Sequence, residues 1–273
     1  MEKISELRKS QYVMLRLLKI IDDICQQNGI QYFLISGSLL GAVRHRGFIP
    51  WDDDLDVAMM REDYNKFLEV CKSQLPDSCF LQTRKTDPHY KVYHVPCKLR
   101  DTHSLLIEEG NEKSKACQGI YIDIFPFDKH APDMDLVKRD LNLWRKFIVL
   151  QKYTKKHGRN KLHACLLYLV KSMAILLLHV YFLKAEKRIA YNELHYKDNY
   201  KITPGFDLYW SLTNVFEKDD IFPLVKLKFE DGDFFVPRRY DKVLSLIYGD
   251  YMKLPPIEKR MTHAIKLVAN IYE

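Results

Sequence analysis

The chain has 273 residues, of which 47% are hydrophobic and 12% are aromatic. This length and composition predict a folded protein with one large domain or two smaller ones, and they exclude a disordered or fibrous chain. The formal net charge of +7 predicts an anionic partner, but nucleic acid, anionic lipid and phosphorylated metabolites satisfy that charge equally well.

The N-terminal half predicts helices and strands that follow one another closely. Segments with apolar residues three and four positions apart predict helices, which are expected at 5–28, 39–44 and from 61 to about 74. Short apolar or alternating runs predict strands, which are expected at 31–35, 54–60, 92–100 and 119–125. The sequence Ser-Gly-Ser at 36–38 predicts a turn between the first strand and the short helix.

The C-terminal half predicts mostly helices. They begin after Pro132 and are interrupted by the basic segment 152–161. Residues 224–237 contain the Asp-Gly pair that is typical of a β-hairpin, and the helix that follows them is expected to end at Gly249.

The segment 162–183 is apolar except for two histidines, a serine and Lys171, and it is long enough to cross a bilayer. A single span would separate the two ends of the chain, which would then be unable to pack together. We therefore expect a buried helix, or one on the membrane surface where basic residues between 152 and 188 meet anionic headgroups. A core helix flanked by solvated lysines explains the pattern equally well.

The N-terminal segment MEKISELRKS alternates charges where a signal peptide needs an apolar run, so we expect a cytoplasmic protein, with the inner face of the cell membrane as a second location. The six cysteines lack CxxC pairs and a framework spacing, which is typical of reduced thiols. P-loop, dinucleotide-binding, zinc-protease and serine-hydrolase motifs do not occur in the sequence.

Acidic residues concentrate at 52–56, where every position except Leu55 is an aspartate. Side chains two positions apart in a strand lie on one face, so Asp54 and Asp56 are expected to point to the same side. An isolated Asp123 lies in a later predicted strand, where an unpaired carboxylate is costly unless something binds it. A solvated loop is the alternative interpretation of the aspartate run.

Three carboxylates from two strands form an oxygen-rich site suited to Mg²⁺ or Mn²⁺. Such sites serve phosphoryl chemistry, in which metal ions bridge phosphate oxygens. Gly37 and Ser38 lie between a strand and a helix, where close backbone approach and helix amides favour a phosphate.

Basic residues near the acidic cluster are further candidates for holding phosphate. Lys98 and Arg100 share one face of a predicted strand and could steady a phosphate or a departing group. Arg44, His45 and Arg46 precede the aspartates. Each of these five residues is equally typical of an ordinary solvated surface.

Four sequence blocks carry a family resemblance: SGSLLGAVRHRGFIPWDDDLDVAM, KLRDT, YIDIFPFD and VPRRYDKVLSLIYGDYMKLPP. The glycine-serine pair, the Asp-x-Asp pair and the later carboxylate resemble the nucleotidyltransferase superfold of the polymerase-beta type. The blocks are similar to the LicD family, whose distant relatives are fukutin and the fukutin-related protein.

The resemblance implies an α+β fold with a mixed sheet core and a large helical insertion. Residues 1–130 would form the nucleotidyltransferase-like catalytic core and residues 131–205 the insertion. Residues 206–273 would supply a hairpin and a helix that complete the core.

The resemblance also implies a function. LicD proteins transfer a substituted phosphate, typically phosphorylcholine from CDP-choline, to a sugar hydroxyl of a surface glycan such as teichoic acid, lipopolysaccharide or capsule. The implied partners are a cytidine diphosphate-linked donor and a glycan acceptor, which can be lipid-linked, and no nucleic acid. The metal ligands would be Asp54, Asp56 and Asp123, the last of which would also accept the proton of the attacking hydroxyl. The residues that bind phosphate and the departing CMP would be Gly37, Ser38, Lys98 and Arg100.

Two alternatives stay open at this point. An enzyme of the same fold can transfer another alditol phosphate or the nucleotidyl group itself. A non-catalytic protein that binds nucleic acid or a membrane surface would explain the net charge, but it leaves the carboxylates without a role.

Overall fold

The computed structural model of the chain describes residues 4–90, 95–154, 161–206, 208, 214–260 and 262–269. Helices and strands are mixed along the described chain, which confirms the prediction of a structure containing both. The helices are α1 (Glu6–Asn28), α2 (Ser36–His45), α3 (Arg61–Gln74), α4 (Met134–Thr154), α5 (Lys161–His195), α6 (Lys218–Ile221) and α7 (Tyr240–Tyr248). The strands are β1 (Phe33–Leu34), β2 (Asp56–Met60), β3 (Cys79–Thr83), β4 (Cys97–Asp101), β5 (Leu105–Glu108), β6 (Tyr121–His130), β7 (Lys201–Pro204), β8 (Phe216–Glu217), β9 (Val225–Phe229), β10 (Gly232–Val236) and β11 (Ala264–Val268).

The chain divides into two compact units. The first unit consists of Met1–Pro126 and Asp219–Glu273, and the second of Phe127–Lys218. Strand β6 therefore begins in the first unit and ends in the second. The assignment of a catalytic core, an insertion and a completing segment concerns function, and it stays a prediction.

In the first unit, five strands lie side by side in the order β1, β2, β6, β4 and β3. β4 pairs antiparallel with β6, so that Lys98 stands opposite Asp123 and Arg100 stands opposite Tyr121. All residues of β2 and β4 are buried. The strand order thus places the aspartate of β2 on a strand adjacent to the aspartate of β6.

Helix α1 forms as the sequence predicts, because both ends carry local stop signals. The hydroxyl of Ser5 accepts a hydrogen bond from the amide of Arg8 (3.1 Å), and Gly29 adopts the left-handed conformation with φ 60°. The helix contacts α3, β4 and β11. Its apolar face is fully buried and includes Met14, Leu17, Leu18 and Ile21.

The predicted boundaries near the aspartates differ from the observed ones. Helix α2 already begins at Ser36, so the predicted Ser-Gly-Ser turn is the first turn of a helix. Strand β2 begins at Asp56, so Asp54 precedes the strand. The physical reason is tertiary: the side chain of Gln11 donates to the carbonyl oxygen of Asp52 (2.9 Å), and the carboxylate of Asp53 binds distant backbone amides. These contacts hold the segment outside the β-ladder.

Other predicted elements are confirmed with shifted ends. Strand β4 begins at Cys97, and residues 92–94 of the predicted strand lie outside the described residues. The hairpin β9–β10 forms, but Gly232 pairs with Phe229, so the turn residues are Glu230 and Asp231. Glu230 supplies the required positive φ of 55°.

In the second unit, β7 pairs antiparallel with the end of β6, and α4 packs against α5. The packed helix faces contribute Trp144, Phe147, Ala185 and Ile189 to a hydrophobic cluster, which Phe206 joins from the turn after β7. The expectation that residues 162–183 form a buried helix is therefore met on one face of α5 only. Among the described residues, no helix is both long enough and apolar enough to cross a bilayer.

Candidate functional site

The carboxylates of Asp54, Asp56 and Asp123 form one electrostatic cluster, in which Asp54 and Asp123 act on Asp56 and Asp54 acts on Asp123. The amide of Asp123 donates to the carbonyl oxygen of Leu55 (2.8 Å), which fixes the register between the two aspartate-bearing segments. Burial, followed by the charges of Asp54 and Asp123, raises the pKa of Asp56 well above its usual range. The three predicted metal ligands therefore interact strongly through their charges.

Asp52 is a fourth carboxylate of this cluster. Burial and the neighbouring Asp54, with which it forms a hydrogen bond, raise the pKa of Asp52 to about 8. A carboxyl group with this pKa is mostly protonated at neutral pH, and a nearby cation would favour its ionised form. The sequence analysis placed Asp52 in a turn and assigned it no role.

Helix α2 begins directly beside the carboxylates. The hydroxyl of Ser38 accepts a hydrogen bond from the amide of Asp56 (2.7 Å), which joins α2 to β2. A side-chain carbon at Gly37 would lie 2.8 Å from Oδ2 of Asp52, so the close approach of this carboxylate requires glycine. The predicted binding of phosphate by Gly37 and Ser38 stays a prediction.

Ser36 was not singled out in the sequence, yet it occupies an unusual position at the start of α2. Its φ of 53° lies in the left-handed region that non-glycine residues rarely adopt. Its buried hydroxyl has no hydrogen-bond partner among the described residues. This hydroxyl therefore has unused hydrogen-bonding capacity at the N-terminal end of the helix.

Lys98 is the buried cation of the site. Its Nζ lies 2.7 Å from Oδ1 of Asp123 and 3.3 Å from the ring centre of Tyr121. Burial raises the pKa of Asp123 to about 6, and the ammonium of Lys98 opposes that rise. In the observed arrangement Lys98 thus offsets part of the negative charge of the cluster, and its predicted contact with phosphate stays a prediction.

Arg100 lies two positions further along β4 and binds protein groups. Its Nη1 donates to the carbonyl oxygen of Gly119 (2.6 Å), and its Nε donates to the side chain of Gln82. Its guanidinium carbon lies 4.8 Å from the ring centre of Tyr121. These contacts tie β4 to its neighbours, and a role toward departing CMP stays a prediction.

Two C-terminal segments, one with Tyr248 and one with His263 and Ala264, interact with the aspartates without any local signal in the sequence. Tyr248, at the end of α7, is 45% exposed, and desolvation followed by the charges of Asp56 and Asp52 raises its pKa. Asp53 accepts hydrogen bonds from the amides of His263 (2.8 Å) and Ala264 (2.6 Å). Only the folded chain brings these segments to the aspartates.

Two arginines lie on the side of the cluster where Tyr248 stands. Burial and the charge of Arg260 lower the pKa of Arg44, whose Nη1 donates to the carbonyl oxygen of Tyr251 (2.9 Å). The guanidinium carbon of Arg260 lies 4.7 Å from the ring centre of Trp51. Within the described part of the chain, neither arginine forms an ion pair with a carboxylate. Two such cations suit an anionic ligand.

A formed metal site is not found in the described ranges, where no three His, Cys, Asp or Glu side chains stand close enough to hold an ion. The chemistry of the donors nevertheless suits a hard divalent cation, because several buried carboxylates repel one another and provide only oxygen ligands. The metal-binding role of Asp54, Asp56 and Asp123 therefore stays a proposal.

Comparison with known proteins identifies the family. The family described as "LicD/FKTN/FKRP, nucleotidyltransferase domain" matches residues 29–157. The lipopolysaccharide cholinephosphotransferase LicD of Haemophilus influenzae is 30% identical over 267 residues, which cover 95% of this chain and 96% of that protein. The chain belongs to the LicD family. This confirms the resemblance identified in the sequence.

Two further similarities cover shorter parts of this LicD-family chain. An uncharacterized protein of Rickettsia typhi is 37% identical over 126 residues, or 46% of this chain and 37% of that protein. Human ribitol 5-phosphate transferase FKRP is 48% identical over 40 residues, or 15% of this chain and 8% of that protein. All the aspartates of the cluster lie within the family match at 29–157.

Proposed function

We propose that the chain is a metal-dependent phosphotransferase that moves a substituted phosphate onto a sugar hydroxyl of a cell-surface glycan. The observation that carries this proposal is the carboxylate cluster inside the LicD-family region, in which Asp56 and Asp123 are buried, Asp52 and Asp54 are half-buried, and Lys98 lies beside Asp123. Buried like charges destabilise a fold unless cations offset them, so a purely structural role does not explain the cluster. We further propose that this region has the nucleotidyltransferase superfold, in line with the description of the matched family.

The proposed donor is CDP-choline and the proposed acceptor is lipopolysaccharide, with teichoic acid and capsule as further acceptors. The name of the Haemophilus influenzae relative, which covers almost the whole chain, supports phosphorylcholine as the transferred group. Arg44, Arg260 and Lys98 supply positive charge that suits the diphosphate of such a donor.

The proposed reaction is an in-line displacement at phosphorus. The sugar oxygen attacks the phosphorus that carries choline, the bond from that phosphorus to the CMP oxygen breaks, and Asp123 takes the hydroxyl proton. Mg²⁺ or Mn²⁺ held by Asp54, Asp56 and Asp123 would neutralise charge on the phosphate oxygens. Lys98 and Arg100 would hold the CMP that leaves.

Transfer of an alditol phosphate is the second candidate function. The local similarity to ribitol 5-phosphate transferase FKRP supports it. The carboxylates serve both donors alike, and CMP is the leaving group in both cases, so the choice depends on the residues that surround the transferred choline or alditol group. Transfer of the nucleotidyl group itself is a third possibility in the same fold.

A thermal-unfolding screen distinguishes these donors. We expect CDP-choline with Mg²⁺ to raise the melting temperature, because a ligand that binds only the folded state stabilises it. CDP-ribitol, CDP-glycerol, UTP and ATP are the comparison ligands, each with and without Mg²⁺. A shift with CDP-ribitol but not CDP-choline would support alditol transfer, and no Mg²⁺-dependent shift with any nucleotide would contradict the proposal.

A labelling experiment identifies the transferred group. With lipopolysaccharide as acceptor, label in the choline of CDP-choline should reach the glycan, whereas label in the cytidine should remain in free CMP. Cytidine label on the glycan would instead assign nucleotidyl transfer.

A further inference from the structure

Helix α5 carries large apolar side chains on the side opposite its packed face. On the packed side, Ala185 and Ile189 belong to the hydrophobic cluster of the second unit, and Leu178 packs against that cluster. On the opposite side, Tyr168, Met173 and Leu176 are 69%, 64% and 67% exposed. Val180 and Leu183 continue this exposed side at helical spacing.

Charged residues interrupt the exposed apolar section after Leu183. Lys184, Glu186 and Lys187 are all exposed, and Tyr191 and Leu194 are exposed beyond them. Lys171, which interrupts the apolar sequence, lies on the partly buried side of the helix and does not interrupt the exposed apolar face. From Tyr168 to Leu183 this face is about 24 Å long at a helical rise of about 1.5 Å per residue.

We propose that this face of α5, formed by Tyr168, Met173, Leu176, Val180 and Leu183, docks onto membranes that contain anionic lipid. A monomeric soluble protein rarely exposes a contiguous apolar surface of more than a few hundred Å² without a partner. The basic residues that adjoin the face, Lys184 and Lys187, complement anionic headgroups, and the whole chain is positively charged. Because α5 does not meet the requirements of a spanning helix, we propose that it lies in the plane of the membrane surface and inserts only its exposed apolar face.

Charge complementarity favours a lipid surface over a second copy of the chain. A second copy carries the same net charge of +7 and would bring like charges together around the face. The apolar section would enter the lipid, and Lys184 and Lys187 would remain at the headgroup level. The docking proposal does not rest on the proposed transfer reaction.

Vesicle sedimentation of the full chain tests this proposal. The wild-type chain should sediment with vesicles of phosphatidylcholine and phosphatidylglycerol more than with vesicles of phosphatidylcholine alone. Leu176→Glu should weaken binding by about tenfold or more, because it places a charge at the centre of the apolar face. Met173→Glu should do the same and serves as the second variant if Leu176→Glu does not fold.

The matched control is Leu194→Glu, since Leu194 is also 67% exposed and lies about five turns further along the same side of α5. It should bind vesicles as the wild type does. Absence of wild-type binding, wild-type binding by Leu176→Glu, or equal losses for Leu176→Glu and Leu194→Glu would each overturn the proposal.

Sedimentation velocity without lipid tests whether this face of α5 binds a second copy of the chain instead. The wild-type chain should be monomeric, and a dimer that Leu176→Glu dissociates would assign the face to a second copy and overturn the proposal. Asp56→Asn should bind vesicles normally, so that failure of the transfer reaction and failure of membrane docking are separately observed.

Discussion

Asp56 lies at the centre of the carboxylate cluster, where Asp54, Asp123 and Asp52 all disfavour its ionised form. Such a residue contributes little to stability by its charge, because burial and repulsion both act against that charge. This supports the proposal that the cluster binds a cation. The same reasoning does not apply to Asp123, which has the ammonium of Lys98 at 2.7 Å.

The first prediction concerns Asp56→Asn. The variant should lose transfer below detection while its melting temperature stays equal or rises, because one of several repelling buried charges is removed. Activity assays and thermal unfolding of the same preparation measure both effects. Asp77→Asn, at an exposed position, is the control with unchanged activity. Near-normal transfer by Asp56→Asn would refute the proposed site.

The second prediction concerns the Lys98–Asp123 pair. Lys98→Met should lower the free energy of unfolding by about 3–5 kcal/mol, because it leaves a buried carboxylate without its cation. The double variant Lys98→Met with Asp123→Asn should recover most of that loss, yet remain inactive. Urea unfolding of both single variants and the double variant measures the coupling. Additive losses in the double variant would mean that the two charges do not stabilise one another.

Among the elements, β11 depends on a contact that no local pattern predicts. Its start is held by the buried carboxylate of Asp53, which accepts the amides of His263 and Ala264. The two segments are 210 residues apart in the chain. β11 in turn pairs antiparallel with β5. Asp53 therefore stabilises the start of β11, whereas the neighbouring aspartates belong to the carboxylate cluster.

The third prediction is that Asp53→Ala destabilises the protein by about 1–3 kcal/mol, because two backbone amides lose their acceptor. Hydrogen exchange should show the loss of protection concentrated in β11 and β5. Asp23→Ala, at an exposed position of α1, should leave that protection unchanged. If Asp53→Ala leaves β11 as protected as in the wild type, the carboxylate does not hold this strand.

Across the first unit, an ion pair joins α1 to the turn of the β9–β10 hairpin. The carboxylate of Glu230 binds the guanidinium of Arg8 at 2.9 and 2.5 Å and accepts the amide of Phe48 (3.1 Å). The hydrogen bond from Arg8 is the main reason that the pKa of Glu230 is lowered. The N-terminal helix and the C-terminal hairpin are thus stabilised together.

The fourth prediction follows from the direction of that shift. Since the pKa of Glu230 is lower in the folded state, its stabilisation is present above the unfolded value of about 4.3 and is lost as the pH falls through the folded value. Glu230→Gln should therefore cost about 1 kcal/mol at pH 7, a modest figure because solvent partly screens the pair, and much less near pH 3. Urea unfolding at both pH values provides the measurement.

The exposed pair of Glu69 and Lys72 supplies the control for this effect. Glu69→Gln should change the free energy of unfolding by no more than about 0.5 kcal/mol at either pH. An equal cost of Glu230→Gln at pH 7 and pH 3 would show that the charge of Glu230 is not the cause.

The sequence by itself determined the features that neighbouring residues encode. The spacing of apolar residues predicted α1, Gly249 predicted the end of α7, and four sequence blocks, one of which contains the aspartate motif, predicted the LicD family. The helix signals can be recognised in the sequence because side-chain periodicity and helix ends depend on residues only a few positions apart.

Only the tertiary structure decided which partners these residues have. It joined Lys98 to Asp123, assigned Asp53 to β11, brought Tyr248 to the carboxylates and left one face of α5 exposed. The physical reason is that burial and charge pairing depend on segments far apart in the chain, and local periodicity carries no information about which of them meet.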